Sequence, residues 1–318
     1  ITTMLPAPDA ATVAEGLTER FGLPYWQLAM SATDANRFVI RLARALTGRP
    51  KVLVYHGCYH GSLDETLVEL DAAGEIVKRS PIDPNPSLPA AAGSTVIEFN
   101  DVAALEGALA AGDVACVLAE PIMTNCGMVL PDAGYHQALR ELTRRHGVFL
   151  IIDETHTLSS GYGGYTREHD LDPDFLVFGK AIPGGIPVAG SGFTRAVAAR
   201  HDELFARVGD RIWGEFGVGG TLTASVFATS VLRASLEQVA TREAFDSMLR
   251  LGSQLASGLG AAISSSGLPW SVTSAGARAE LQFMPVQPRN GSEALAAFDW
   301  HLIEYTHLHL LNRGFLIT

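Results

Sequence analysis

Along the first two-thirds of the chain, short runs that are apolar at nearly every position alternate with longer segments whose apolar residues recur every three or four positions. The runs at 52–55, 114–119, 148–152 and 175–178 carry scarcely a polar side chain, the pattern of strands buried on both faces. Shorter strands are expected at 25–30 and 95–99. Between them lie helical patterns. At 8–21, Val13, Leu17 and Phe21 recur at four-residue spacing before Gly22. A second helix opens in the stretch 31–36, carries Phe38, Ile40, Leu42 and Leu46, and closes at Gly48. Two more are expected at 101–111 and 132–146. Apolar strands separated by helices predict an α/β fold with a mostly parallel central sheet covered on both faces. Beyond Thr221 the pattern changes to helices at 226–239 and 242–263, a hairpin at 272–283 and a helix at 292–311. Residues 1–240 are therefore read as a large domain and 241–318 as a smaller α+β domain. The chain opens on Ile1 without a methionine and closes at 315–318 on a strand-like run, so segments are expected to be missing at both ends.

Composition narrows the function. The chain has 318 residues, 47% hydrophobic, with a net charge of -11 and no lysine- or arginine-rich run. Such a surface does not suit a nucleic-acid partner. Three scattered cysteines, Cys58, Cys116 and Cys126, make no disulfide framework, which points to a reducing compartment. No apolar run approaches the roughly 18 residues of a membrane span, nothing at the start reads as a signal peptide, and the cytoplasm is the expected location.

The chemistry gathers where strands end. Phe178-Gly-Lys180 closes the last apolar run and leads into Gly184-Gly185. A lysine at a buried strand end either keeps its head in water or is partly dry, and the second reading lowers its pKa and makes its amine a candidate for a Schiff base. Met30-Ser-Ala-Thr-Asp-Ala-Asn36 joins a strand to a helix start. Free backbone N–H groups there, with Ser31 and Thr33 hydroxyls and the small Ala32, make an anion cradle or a plain N-cap. Asp34 would repel a phosphate unless it turns away. His56-Gly-Cys-Tyr-His-Gly61 matches no usual zinc spacing, and Tyr59 could instead offer its ring to a planar ligand. Asp153 ends the 148–152 run, and a carboxylate there needs a partner such as a protonated ring nitrogen, a helix N-terminus or a cation. His156 follows as an acid–base candidate or, as is commoner for a lone histidine near a strand end, a structural or peripheral residue. An anion cradle, an aromatic face, a carboxylate and a Schiff-base lysine are together the four handles of pyridoxal 5′-phosphate.

The chain resembles the class III aminotransferases of the aspartate aminotransferase superfamily, fold type I. The resemblance rests on Ser31-Ala-Thr-Asp-Ala, Cys58-Tyr-His-Gly61, Glu120-Pro-Ile, Asp153-Glu, Phe178-Gly-Lys180 and Gly220-Thr-Leu222, in that order over nearly the whole chain. It implies that Lys180 holds the cofactor and moves the proton, and that Asp153 pairs with the pyridine nitrogen. Tyr59, in a motif with His60, stacks on the ring, while Ser31, Ala32 and Thr33 hold the phosphate. Glu120 and Asn125 lie near Asp153 and the ring hydroxyl. Thr221, at the start of a helix, reaches the phosphate of a neighbouring subunit in a homodimer with shared sites. Two departures stand out: Ala32 replaces the usual glycine, and Thr155 replaces a valine that packs on the other face of the ring.

The activity that follows is ping-pong transfer of an amino group from an amine or amino acid to a keto acid or aldehyde. A glutamate-1-semialdehyde-type aminomutase or a racemase on the same scaffold is the alternative, and a non-catalytic pyridoxal-phosphate-binding protein a further one. Arg211 and Trp213, ahead of Thr221, are candidates for the pocket lining, with ordinary loop positions as the other reading.

Overall fold

The structure is a computed structural model that describes residues 5–83, 85–180, 182, 184–208 and 217–317. In chain order the principal elements begin with α1 (Asp9–Phe21), β1 (Tyr25–Ala29), α2 (Ala32–Thr47), β2 (Lys51–Tyr55), β3 (Val68–Leu70), β4 (Ile76–Lys78) and β5 (Ser94–Ile97). There follow α3 (Val102–Ala110), β6 (Val114–Ala119), α4 (Tyr135–Arg145), β7 (Phe149–Asp153), α5 (Gly164–Glu168), β8 (Phe175–Phe178), β9 (Ala189–Phe193) and α6 (Arg195–Val208). The chain ends with α7 (Val226–Ala234), α8 (Arg242–Ser266), β10 (Ser271–Ala275), β11 (Arg278–Gln282), α9 (Gly291–Ala296) and α10 (Trp300–Leu311).

Seven strands form one sheet in the order β1-β9-β8-β7-β6-β2-β5. From β8 to β5 the neighbours are parallel. Strand β9 runs against both β8 and β1, so β1 points the same way as the parallel set. The fully apolar sequences of β6 and β8 are buried at every position. The pleat of β8 divides two packing layers. Phe175 and Val177 belong to the main core with Phe38 and Val39 of α2, whereas Leu176 and Phe178 pack with Val13, Leu17 and Phe21 of α1 and Leu232 of α7. The mostly parallel α/β sheet expected from the sequence is the one observed.

Several elements differ from the sequence reading. The hairpin β3–β4 stands where no element was expected. Strand β9, Ala-Gly-Ser-Gly-Phe, carries no hydrophobic signal because its glycines lie under large rings. A Cβ at Gly190 would meet the Phe178 ring at 2.8 Å, and one at Gly192 the Trp26 ring at 2.6 Å. The helix expected at 292–311 is split, because Asp299 caps α10 by accepting from the Leu302 N–H at 3.0 Å. The helix expected at 226–239 gives way after Ala234 to a single wider turn over Ser235–Val239. The expected terminal strand at 315–317 is irregular. Helix α8 presses on the β10–β11 hairpin, and a Cβ at Gly252 would stand 2.6 Å from Ala277 Cα. Among the described residues, no helix is long and apolar enough to cross a membrane.

Candidate active site

The carboxyl ends of β1, β2, β6, β7 and β8 open onto one edge of the sheet, the place where open α/β sheets present ligand-binding loops. A cleft of about 440 Å³ lies there, lined by Ser31, Ala32, Thr33, Tyr59, His60, Glu120, Asn125, Asp153, Thr155 and Lys180, all of them expected from the sequence. His156 also lines it, with an apolar wall at Ile186, Pro187 and Val188.

Each strand delivers its part for a local reason. After β1, Ser31 N-caps α2, its Oγ accepting from the Asp34 N–H at 3.1 Å while its hydroxyl donates to the Asp34 carboxylate at 2.9 Å. Arg37 holds the same carboxylate at 3.4 Å. Asp34 is therefore held by Ser31 and Arg37 and does not line the cleft, where Ser31, Ala32 and Thr33 present the positive helix end to an anion. After β2 the loop turns at Gly61, where φ is +94° and a Cβ would fall 2.1 Å from Thr33 Oγ1. Only glycine lets the Tyr59 loop lie this close to the cradle. Tyr59 is half-exposed at the cleft mouth. His56 and His60 turn to different partners: His56 Nδ1 accepts from the Leu70 N–H, and His60 Nδ1 meets Asp153 at 2.9 Å.

Asp153 is the electrostatic centre. One carboxylate oxygen receives Asn36 Nδ2 at 2.8 Å as well as His60, and the other receives the Thr155 N–H at 3.1 Å. Burial alone would push its carboxyl up. The bond and charge of His60, with the bonds from Thr155 and Asn36, outweigh burial and hold it at about 2. His60 shows the counterpart: burial opposes its protonation, but Cys58 and Asp153 overcome that and raise it to about 10. Sequence reasoning missed Asn36. Its only signal is an amide among the apolar, buried residues of α2. Asp153's neighbour Glu154 serves the scaffold, accepting from Thr157 Oγ1 and from the backbone of Tyr165 and Thr166.

After β6, Glu120 is buried and accepts from Thr124 Oγ1 and from Asn125 Nδ2 at 2.9 Å. Burial raises its carboxyl. Thr124 Oγ1 also meets His156 Nδ1 at 2.6 Å. Burial, then the charges of Lys180 and Arg278, lower His156 to about 4, so its imidazole is neutral near pH 7.

Lys180 departs from the dry site expected for it. It follows β8 through Gly179 and is exposed at the cleft, because the cleft is open where the strand ends. Its backbone takes φ +47°, uncommon for a residue with a Cβ. Gly179 is needed behind it, since a Cβ there would approach Ala32 Cβ at 3.1 Å and Thr155 Cγ2 at 3.5 Å. Ala32 thus fills space that Gly179 leaves.

Thr221 is apart from these residues. It is exposed and does not line this chain's cleft. Helix α7 begins at Val226 as the 226–239 pattern predicts, capped by Ser225, so Thr221 lies ahead of the helix start rather than at it, with Ala224 at φ +55° between them. Arg211 and Trp213 lie outside the described residues.

Comparison with known proteins bears on this arrangement. The sequence profile of the family Aminotransferase class-III matches residues 2–301. The chain belongs to that family. Among solved structures, a glutamate-1-semialdehyde-aminomutase from Pseudomonas aeruginosa PAO1 in complex with PMP superposes at TM-score 0.95 with 50% identity, over 100% of this chain and 70% of that one. An omega-transaminase from Sphaerobacter thermophilus superposes at TM-score 0.86 with 28% identity, over 99% of this chain and 72% of that one. Among curated class-III relatives, glutamate-1-semialdehyde 2,1-aminomutase of Opitutus terrae is 33% identical over 98% of this chain and 72% of its own length. That of Rhodopirellula baltica is 33% identical over 87% of this chain and 63% of its own length. The fold is therefore that of the fold type I class-III enzymes, and the named relatives favour the aminomutase alternative over the two-substrate transfer first read from the sequence.

Proposed function

We propose that this chain forms the core of a pyridoxal-phosphate-dependent aminomutase that moves the amino group of glutamate 1-semialdehyde from carbon 2 to carbon 1. The carbonyl moves the opposite way, so the reaction is an isomerisation needing no second substrate. The observation that carries the reading is the whole-chain likeness, at 50% identity, to an aminomutase in complex with PMP.

The residues present fit the cofactor. Asp153 is a buried carboxylate held ionised at about 2, as a partner for a protonated ring nitrogen must be. Thr155 Oγ1 is buried at the cleft and has no hydrogen-bond partner among the described residues. The N-terminus of α2 faces the cleft at Ser31, Ala32 and Thr33, and Asp34 does not line it. Bound there, pyridoxal phosphate would supply the carbonyl that carries the amino group and the ring that withdraws electrons from the adjacent carbon. Ser31, Ala32 and Thr33 would hold its phosphate, Tyr59 would cover one ring face, and Thr155 would lie on the other. Asn125, bonded to Glu120, would stand near the ring hydroxyl. Asn36 and His60 fix the Asp153 carboxylate in one orientation. Lys180 Nζ would anchor the cofactor and, when released, take a proton from one substrate carbon and deliver it to another.

The active unit in this reading is a cytoplasmic homodimer. Thr221 is exposed and outside its own chain's cleft, which suits a residue that reaches the phosphate of a neighbouring subunit. Three unpaired, buried cysteines suit a reducing compartment.

The test is to give the purified, cofactor-loaded enzyme glutamate 1-semialdehyde alone. Conversion to the isomer is expected without a keto acid. A requirement for a stoichiometric keto acceptor would instead establish the transaminase reading.

A further inference from the structure

The β10–β11 hairpin brings an arginine near His156, which lines the cleft. Its turn is docked on the segment that follows His156: the Ala277 N–H donates to Ser159 O at 3.1 Å, and a Cβ at Gly276 would fall 2.2 Å from Ser160 Cα. Alternate residues of β11 share a face, so Arg278, Glu280 and Gln282 point the same way. Gln282 is buried and donates to Met128 O at 3.2 Å. That face is therefore turned toward the 120–129 segment, which carries Glu120, Thr124 and Asn125. Arg278 stands at the end of the face nearest Ser159 and His156, and its charge reaches the His156 ring.

The guanidinium is uncommitted. Its Nε is buried without a partner, and no hydrogen bond or ion pair engages Arg278 among the described residues. Glu280, the nearest acid on the face, stands beyond ion-pair distance, and burial raises its carboxyl. A partly buried arginine left unpaired is costly unless an anion completes it. The planar fork matches a carboxylate with two parallel bonds.

We propose that Arg278 is a specificity-determining residue that receives the carboxylate of the substrate on the His156 side of the cleft. The inference rests on the proposed function for the identity of the substrate but not for the binding of a carboxylate. Of the described residues that line the cleft, His60 is paired with Asp153 and Lys180 would be engaged by the cofactor, so neither is left for a substrate carboxylate. Substrates with a carboxylate are then selected over plain amines of the same length.

The test measures binding of levulinate, an unreactive keto acid of the substrate's chain length, to pyridoxal-phosphate-loaded protein by calorimetry, with levulinamide as the uncharged control. Wild-type protein should bind levulinate at millimolar concentration. Arg278→Gln should weaken it by about 10- to 100-fold, the scale of hydrogen bonds to a charged group. Arg278→Lys should fall between, and levulinamide should be insensitive to either change. Far-UV circular dichroism and the cofactor absorbance band check folding and loading independently. Undiminished levulinate binding by Arg278→Gln, equal losses for levulinamide, or no binding by the wild-type protein would each overturn the proposal. Protein that fails to take up the cofactor but still binds levulinate through Arg278 would overturn the proposed function alone.

Discussion

Asp153 shows how much chemistry one side chain can carry when its neighbours are fixed. Its charge is set by His60 and Asn36, so the useful substitution removes charge and keeps shape. Asp153→Asn should retain the fold and slow substrate proton abstraction by about two to four orders of magnitude, measured as single-turnover decay of the cofactor absorbance. A change in cofactor affinity alone would remove Asp153 from its proposed role. The same pair governs stability against pH. The folded value of Asp153 lies below its ordinary 3.8, so its contribution is present above that pH and fades as pH falls toward about 2. The folded value of His60 lies above its ordinary 6.5, so its contribution is complete below that pH and is lost as pH rises through about 10. Urea unfolding of the wild-type protein should show stability declining between those alkaline limits, and His60→Gln should flatten that decline. Asp153 itself was legible, being a carboxylate at the end of an apolar run. Asn36 was not, because one amide on a buried helix face looks the same in sequence whether it supports a site or only the helix.

At the scale of elements, legibility followed hydrophobicity. Strands β2, β6, β7 and β8 announced themselves as apolar runs, and α2 by its spacing and its Gly48 stop. Strand β9 did not, since two of its five residues are glycine. What fixes it is distant in sequence: the rings of Trp26 and Phe178 occupy the space its side chains would need. Gly192→Ala should therefore destabilise the protein by about 1–3 kcal/mol, the usual cost of overpacking, although alanine has the better intrinsic backbone propensity. A urea midpoint equal to that of wild type would show that the Trp26 ring can move aside. Likewise α7 begins at Val226 as expected, behind its Ser225 cap, but its end was misplaced, because the wider turn over Ser235–Val239 that follows Ala234 has no local pattern to reveal it.

For the whole molecule, the displaced position of Thr221 is the informative one. If each site borrows Thr221 from a neighbouring subunit, mixing inactive Thr221→Ala chains with inactive Lys180→Ala chains should restore activity. A mixed dimer would then hold one doubly damaged site and one intact site. No recovery, with mixed dimers demonstrated by native mass spectrometry, would return Thr221 to its own chain or to no site. Pyridoxal phosphate should also oppose dissociation on dilution, because a ligand held by both subunits stabilises their association.

The edge strand β1 carries a consequence of another kind. Among the described residues Tyr25–Ala29 has one partner in the sheet, and that partner, Ala189–Phe193, begins 160 residues after Ala29. Synthesis at about 5–20 residues per second leaves an interval on the order of ten seconds or more between the two. Throughout it the nascent chain exposes an open strand edge, together with the Trp26 ring that will later cover Gly192. Chaperone demand should accordingly be greatest for ribosome-bound chains that stop short of residue 189, and should fall once the glycine strand has emerged and closed the edge.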